Sequence, residues 1–164
     1  MNNALKIRQL EKKDYEAYKR LFLDAYNQYL ESLKLKDPSQ YKIEKRENRT
    51  VSRERFNFYL NTGSSFVAEE EGNVIGYVAS QTISFMHGVD KLLYIEYIVV
   101  KPEFRRRGTG TALMQRLIDY ARQNGANRVY STINPDNETS IRLHEKAGFN
   151  VRSWKIASFR PTQQ

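Results

Sequence analysis

The spacing of apolar positions changes repeatedly along the 164-residue chain, and each change marks an element. Leu5 to Leu10 reads as a short strand. From about Asp14, Tyr15, Tyr18, Leu21, Phe22, Ala25, Tyr26 and Tyr29 recur at helical spacing, and Asp37-Pro38 breaks the pattern. A second helix is predicted through Arg53 to Leu60, stopped by Asn61-Thr62-Gly63. The period then falls to two. Phe66–Glu69 and Val74–Ala79 flank Glu71-Gly72-Asn73 and predict a hairpin. Leu92 to Val100 is almost wholly apolar, rich in β-branched residues, and carries the single acid Glu96, which suits a central strand. A long helix follows from Gly108 to Asn124, with Leu113, Leu117, Ile118 and Ala121 inward and Gly125 closing it. Arg128–Ile133 predicts a strand, Asn137–Ala147 a helix, and Phe149–Phe159 the last strand. Helices first, then a meander, then alternating strands and helices is an α+β, or mixed α/β, order in one domain over residues 1–164.

Charge sharpens one part of this picture. The net charge is +8, and residues 101–128 hold seven Lys/Arg against two Asp/Glu. Such a block serves a polyanionic ligand, either nucleotide phosphate or nucleic acid, or it is a solvated face. At its centre lies Arg105-Arg106-Arg107-Gly108-Thr109-Gly110, between the apolar strand and the long helix. Glycines let backbone approach a ligand, and the first amides of a helix have no internal partner and sit at the positive end of its dipole. A diphosphate fits that nest of N–H groups; a basic turn that merely opens a helix is the simpler reading. No Lys-Ser/Thr follows the second glycine, so this is not a P-loop. Leu113 stands where the dinucleotide fingerprint needs a third glycine or alanine.

The flanks make the pattern specific. Arg105-x-x-Gly108-x-Gly110 resembles the Arg/Gln-x-x-Gly-x-Gly/Ala motif of the GNAT superfamily of acetyl-CoA-dependent N-acetyltransferases. Ile98-x-Val100-x-Pro102 is similar to the strand that precedes that loop. Asn137-x-x-Ser140-x-x-Leu143-His144-Glu145-Lys146-Ala147-Gly148-Phe149 is similar to the family's Asn-x-x-Ala-x-x-Leu-Tyr-x-Lys-x-Gly-Phe. The resemblance runs from about Val67 to Phe149, with Ser140 in place of alanine and His144 in place of tyrosine. It implies a central, mostly antiparallel sheet flanked by helices, with one parallel strand pair at the cofactor cleft. It also implies direct transfer of acetyl from acetyl-CoA to an amine without an acyl-enzyme. That agrees with the inventory: no cysteine and no Gly-x-Ser-x-Gly elbow is present.

The resemblance assigns candidate roles. Arg105, Arg106, Arg107, Gly108, Thr109, Gly110 and Thr111 would hold the pyrophosphate. The backbone of Ile98, Val99 and Val100 would pair with the pantetheine like an added strand, one N–H polarising the acetyl carbonyl. Asn137 would contact the cofactor or cap its helix. Glu96 is the candidate base, since freeing a lysine-like amine near pH 7 costs about 4–5 kcal/mol; a structural acid is the alternative. His144 is the candidate acid for the departing thiolate, against a packed histidine. His87 borders the acceptor or sits in a surface loop. The tyrosine stripe of the first helix could cage an ammonium but more simply builds core.

A non-catalytic acyl-CoA sensor of the same fold is the alternative function, and a nucleic-acid binder finds no motif. With no cysteine and two histidines, no metal is expected. No apolar run approaches the roughly 20 residues of a membrane span, and residues 1–10 carry no secretory pattern, so the expected place is the cytoplasm. The acceptor is an unidentified small-molecule or protein amine, and the assembly state is open, a homodimer included.

Overall fold

The computed structural model describes residues 4–36, 52–84 and 91–153. The chain divides into two compact units, Met1–Thr132 and Ile133–Gln164. The first holds β1 (Lys6–Gln9), α1 (Tyr15–Lys36), α2 (Arg53–Thr62), β2 (Phe66–Glu70), β3 (Asn73–Ser84), β4 (Lys91–Val100), α3 (Thr109–Gln123) and β5 (Arg128–Ser131). The second holds α4 (Glu138–Lys146).

The five strands form one sheet in the order β1-β2-β3-β4-β5. The first three pairings are antiparallel, and β4 with β5 is parallel. The mixed fold class expected from the element order is therefore observed. The β2–β3 hairpin turns through Glu71 and Gly72, both at positive φ (51° and 75°), the turn that matches strand twist. Asn73 already belongs to β3.

The sheet buries both faces. On one, Tyr18 and Leu21 of α1 and Phe56 and Tyr59 of α2 pack over Val67, Tyr77 and Ala79. The stripe on α1 is thus core where it meets the sheet, with Tyr18 at 1% exposure, and it thins outward to Tyr29 at 39%. On the other face, Leu113, Met114, Leu117 and Ala121 of α3 are buried against β2, β3 and β4. Ile118, expected inward, is only half-buried, and Met114 takes its place. Each such aliphatic side chain contributes about 1.5–3 kcal/mol by leaving water.

Three boundaries depart from the sequence reading. Strand β3 runs on to Ser84, because Gln81 to Ser84 pair with Tyr94 back to Lys91. The polar end of β3 is held by hydroxyls: Ser80 N–H donates to Ser65 Oγ at 3.1 Å, and Ser80 C=O accepts from Thr62 Oγ1 at 3.0 Å and Ser64 Oγ at 3.1 Å. Strand β5 stops at Ser131. The last predicted strand has none of its form over residues 149–153, and residues 154–159 lie outside the described part.

Candidate cofactor and acceptor site

Strand β4 is two strands in one. From Leu92 to Ile95 it lies between β3 and β5. Beyond Ile95 its pairing with β5 ends, while pairing with β3 continues to Val100. The direction of its backbone groups follows from the ladder. Lys101 N–H donates to Ile75 C=O at 2.9 Å, and Val99 sits opposite Tyr77 two residues back. In an antiparallel pair such hydrogen-bonded positions alternate. Val99 therefore spends its N–H and C=O on β3, whereas Ile98 and Val100 point theirs to the opposite, opened edge. Gly76 permits this approach, since a Cβ there would lie 2.7 Å from Val99 O.

The basic loop continues that edge. Arg105 turns back toward it: Nε donates to Val100 O and Nη2 to Gln28 Oε1, both at 2.9 Å, and its own N–H donates to Pro102 O at 3.1 Å. It fastens the loop to β4 and α1. Arg106 (φ 60°) and Gly108 (φ 88°) supply the left-handed turns, and Arg107 stacks 5.3 Å above Phe104. Gly108 is the residue before α3 and brings no side-chain cap. The first bond into the helix is Ala112 N–H to Gly108 O at 2.9 Å. The amides of Thr109, Gly110 and Thr111 precede it, at the positive end of a 15-residue helix. Thr109 is buried with its hydroxyl directed to Phe104 O at 3.3 Å, so it offers its amide rather than its Oγ.

Glu96 is the extra residue of a β-bulge: Ala79 pairs with Tyr97 and Ser80 with Ile95, leaving Glu96 between them. Bulges re-aim side chains. Here Gln81 Nε2 of β3 donates to one oxygen of the carboxylate, Oε1, and Arg55 Nη2 of α2 lies 4.0 Å from the other, Oε2. Its side chain keeps 19% exposure. Arg55 Nε also donates to Tyr59 OH at 3.2 Å. Burial pushes the Tyr59 hydroxyl up to about 12 and that of Tyr18 higher still, so these phenols are neutral near pH 7.

In the second unit, Asn137 Oδ1 accepts from Ser140 N–H at 3.1 Å and caps α4. Glu138 adds first-turn charge. His144 is 1% exposed. Its Nδ1 lies 2.8 Å from Ser140 O, and a carbonyl only accepts, so Nδ1 carries the proton. Nε2 then holds a lone pair, is buried, and has no partner among the described residues. Burial lowers the imidazole's pKa, partly opposed by the bond to Ser140. Phe149 closes over the ring at 5.1 Å, edge to face. A neutral imidazole with Nδ1–H committed to backbone presents a proton acceptor at Nε2. His87 lies outside the described residues.

A profile of the acetyltransferase (GNAT) family matches residues 7–149. The chain belongs to this family. It is 28% identical over 156 residues to an uncharacterised N-acetyltransferase of Methanocaldococcus jannaschii, covering 90% of this chain and 63% of that protein. It is 35% identical over 82 residues to an L-2,4-diaminobutyric acid acetyltransferase of Nocardia farcinica, covering 49% of this chain and 40% of that one. The chain thus spans less than two thirds of either relative. Its fold matches an aminoglycoside N-acetyltransferase solved with CoA, at TM-score 0.69 and 21% identity over 98% of this chain and 97% of that one.

Within the GNAT fold so established, the sequence reading missed Arg55, Gln81 and Gln28. Gln81 shares the face of Tyr77 and Ala79 by simple alternation, and Arg55 stands one helical turn before Tyr59. Both signals were local; what hid them was the bulge that brings Glu96 to them. Among the described residues no group of three or more His, Cys, Asp or Glu could hold a metal, and no helix is long and apolar enough to cross a membrane.

Proposed function

We propose that the protein is an N-acetyltransferase that moves the acetyl group of acetyl-CoA directly to the primary amine of a separate acceptor. One observation carries this reading: among the described residues a single strand offers at Ile98 and Val100 a backbone edge that no neighbouring strand pairs, leads through the basic loop to a helix N-terminus whose first amides have no intrahelical partner, and bears a partly exposed carboxylate at its bulge. The amides of Thr109, Gly110 and Thr111, with Arg106 and Arg107, bind the pyrophosphate; Arg105 fixes the loop. The pantetheine lies along the Ile98–Val100 edge as an added strand. The acetyl carbonyl accepts from an edge-facing N–H, which opposes the charge that develops on its oxygen. The amine nitrogen forms the new C–N bond, the C–S bond breaks, and the amine's proton passes to Glu96 directly or through water. Gln81 orients that carboxylate. The departing thiolate takes its proton from solvent, because His144 is poised to accept.

The chain is one functional domain in this reading, since the family match runs across both compact units. A cytoplasmic location goes with the cosubstrate. The test is calorimetry with acetyl-CoA together with thiol release. Acetyl-CoA should raise the melting temperature by mass action, and an amine should then release free CoA. Absence of any shift at millimolar acetyl-CoA overturns the proposal; a shift without thiol release from any amine favours an acyl-CoA sensor instead.

A further inference from the structure

Among the described residues the charges around Glu96 are unusual for a binder of polycations. Polycationic acceptors are held by several acids, because complementary potential selects a ligand and like charge repels it. Around Glu96 the described residues supply no second acid. Its neighbours are Gln81, the phenol of Tyr59 and the guanidinium of Arg55. The phenols stay neutral near pH 7, so among the described residues the local charge is one carboxylate and one guanidinium.

Arg55 is placed to do more than neutralise Glu96. It projects from α2 with its side chain 43% exposed. Its Nε is anchored on Tyr59 OH at 3.2 Å, and its ring partner is Tyr59 at 5.6 Å. The contact to Glu96 is 4.0 Å, an ion pair beyond hydrogen-bond length. A guanidinium carries five donors in a planar fork suited to two carboxylate oxygens. Here the bond from Nε fixes the plane of that fork while the solvent side remains accessible. Glu96 and Arg55 thus form a fixed pair of opposite charges side by side, both reachable from solvent. An ammonium and a carboxylate separated by one carbon present the complementary pair at the same scale.

Resting on the acetyltransferase reading above, we propose that the acceptor is a free amino acid, its amine directed to Glu96 and its carboxylate bound by Arg55, which makes Arg55 the residue that determines acceptor class. An aminoglycoside or polyamine would bring several positive charges against a fixed guanidinium with one acid to meet them. A peptide N-terminus would bring the amine without the adjacent carboxylate.

The experiment measures CoA release from acetyl-CoA with L-phenylalanine, L-methionine, L-glutamate and L-2,4-diaminobutyrate, with the methyl ester of each, and with spermidine and kanamycin. At least one free acid should exceed its ester in kcat/KM by about tenfold or more, the scale of one charge-assisted bond. Arg55→Gln should raise KM for that acid about 10–100-fold and raise KM for its ester much less, whatever change in kcat the two share through Glu96. Arg55→Lys should recover part of the loss, since it keeps the charge but not the fork. Melting temperatures of the variants check the fold. Esters, spermidine or kanamycin outperforming every free acid overturns the inference while leaving the transferase reading intact. So does Arg55→Gln raising KM for acid and ester alike. Acetyl-CoA binding without thiol release from any of these amines overturns both.

Discussion

The bulge of β4 and the buried face of α4 each hold one titratable side chain that sequence alone would nominate for proton transfer, and the two are built in opposite ways. Glu96 is the odd residue of an irregular ladder, partly exposed, with an amide donor on one oxygen and a guanidinium near the other. His144 lies on a regular helix, 1% exposed, with one nitrogen bonded to its own helix and the other without a hydrogen-bond partner among the described residues. Proton transfer needs a group that can change charge where it stands. The first setting allows it, because the carboxylate has water within reach and a donor on one oxygen. The second resists it, because burial penalises the imidazolium. Position within a motif therefore nominates residues, and local solvation decides between them.

The largest effect expected is at Glu96. Glu96→Gln keeps the shape and removes the base, and turnover at pH 7 should fall about 10²–10⁴-fold while acetyl-CoA affinity holds within about threefold. The loss should shrink toward pH 10, where free amine is plentiful. Titration calorimetry and thiol release on the same preparation separate binding from turnover. Equal turnover of variant and wild type at pH 7 makes Glu96 structural and erases the contrast.

Gly108→Asp comes next. At φ 88° an added Cβ meets no atom within 4 Å, so the effect comes from left-handed strain and from a negative charge beside the amides of Thr109 to Thr111. Acetyl-CoA affinity should drop about 10–100-fold with only about 1–2 kcal/mol lost in stability. An unchanged dissociation constant would move the phosphates elsewhere. Gly76→Ala probes the same edge through packing. Its Cβ would push into Val99 O, costing about 1–3 kcal/mol and shifting β4, so the melting temperature should fall in the absence of cofactor.

Much of this site was legible because its signals are short-range. Glycines and arginines between an apolar strand and a helix identify an anion cradle whatever the rest of the chain does, and one acid in an apolar strand stands out. Cross-strand facts were not legible. Which of Ile98, Val99 and Val100 faces the open edge depends on pairing with β3, and Glu96's neighbours depend on where the ladder skips a residue. The extension of β3 to Ser84 was hidden for a related reason: its last residues are polar and gain their place from β4 and from the Ser64, Ser65 and Thr62 hydroxyls. Motif spacing placed Arg105 in the phosphate loop but did not encode its contacts to Val100 O and Gln28. His144 could be located by spacing, but its tautomer follows from a 2.8 Å contact to Ser140 O that spacing does not encode.

The smallest effect concerns His144 and appears in stability rather than rate. Its pKa is lowered in the folded state, so between that value and the unfolded value near 6.5 the unfolded chain binds more protons. The stabilising contribution is complete above about pH 6.5 and is lost as pH falls through the folded value. His144→Gln should flatten this loss between pH 7 and pH 5 while changing CoA release less than about threefold. Thermal melts across that range check it, and a variant as acid-sensitive as wild type would contradict the buried neutral imidazole.

The contrast between the two groups is tested most directly by the pH dependence of kcat/KM for CoA release, measured side by side for wild type, Glu96→Gln and His144→Gln. The acid-side loss of rate should persist in His144→Gln and disappear in Glu96→Gln, leaving only the rise that follows the amine. An acid limb that survives in Glu96→Gln and vanishes in His144→Gln would place the proton acceptor on α4 and contradict the account.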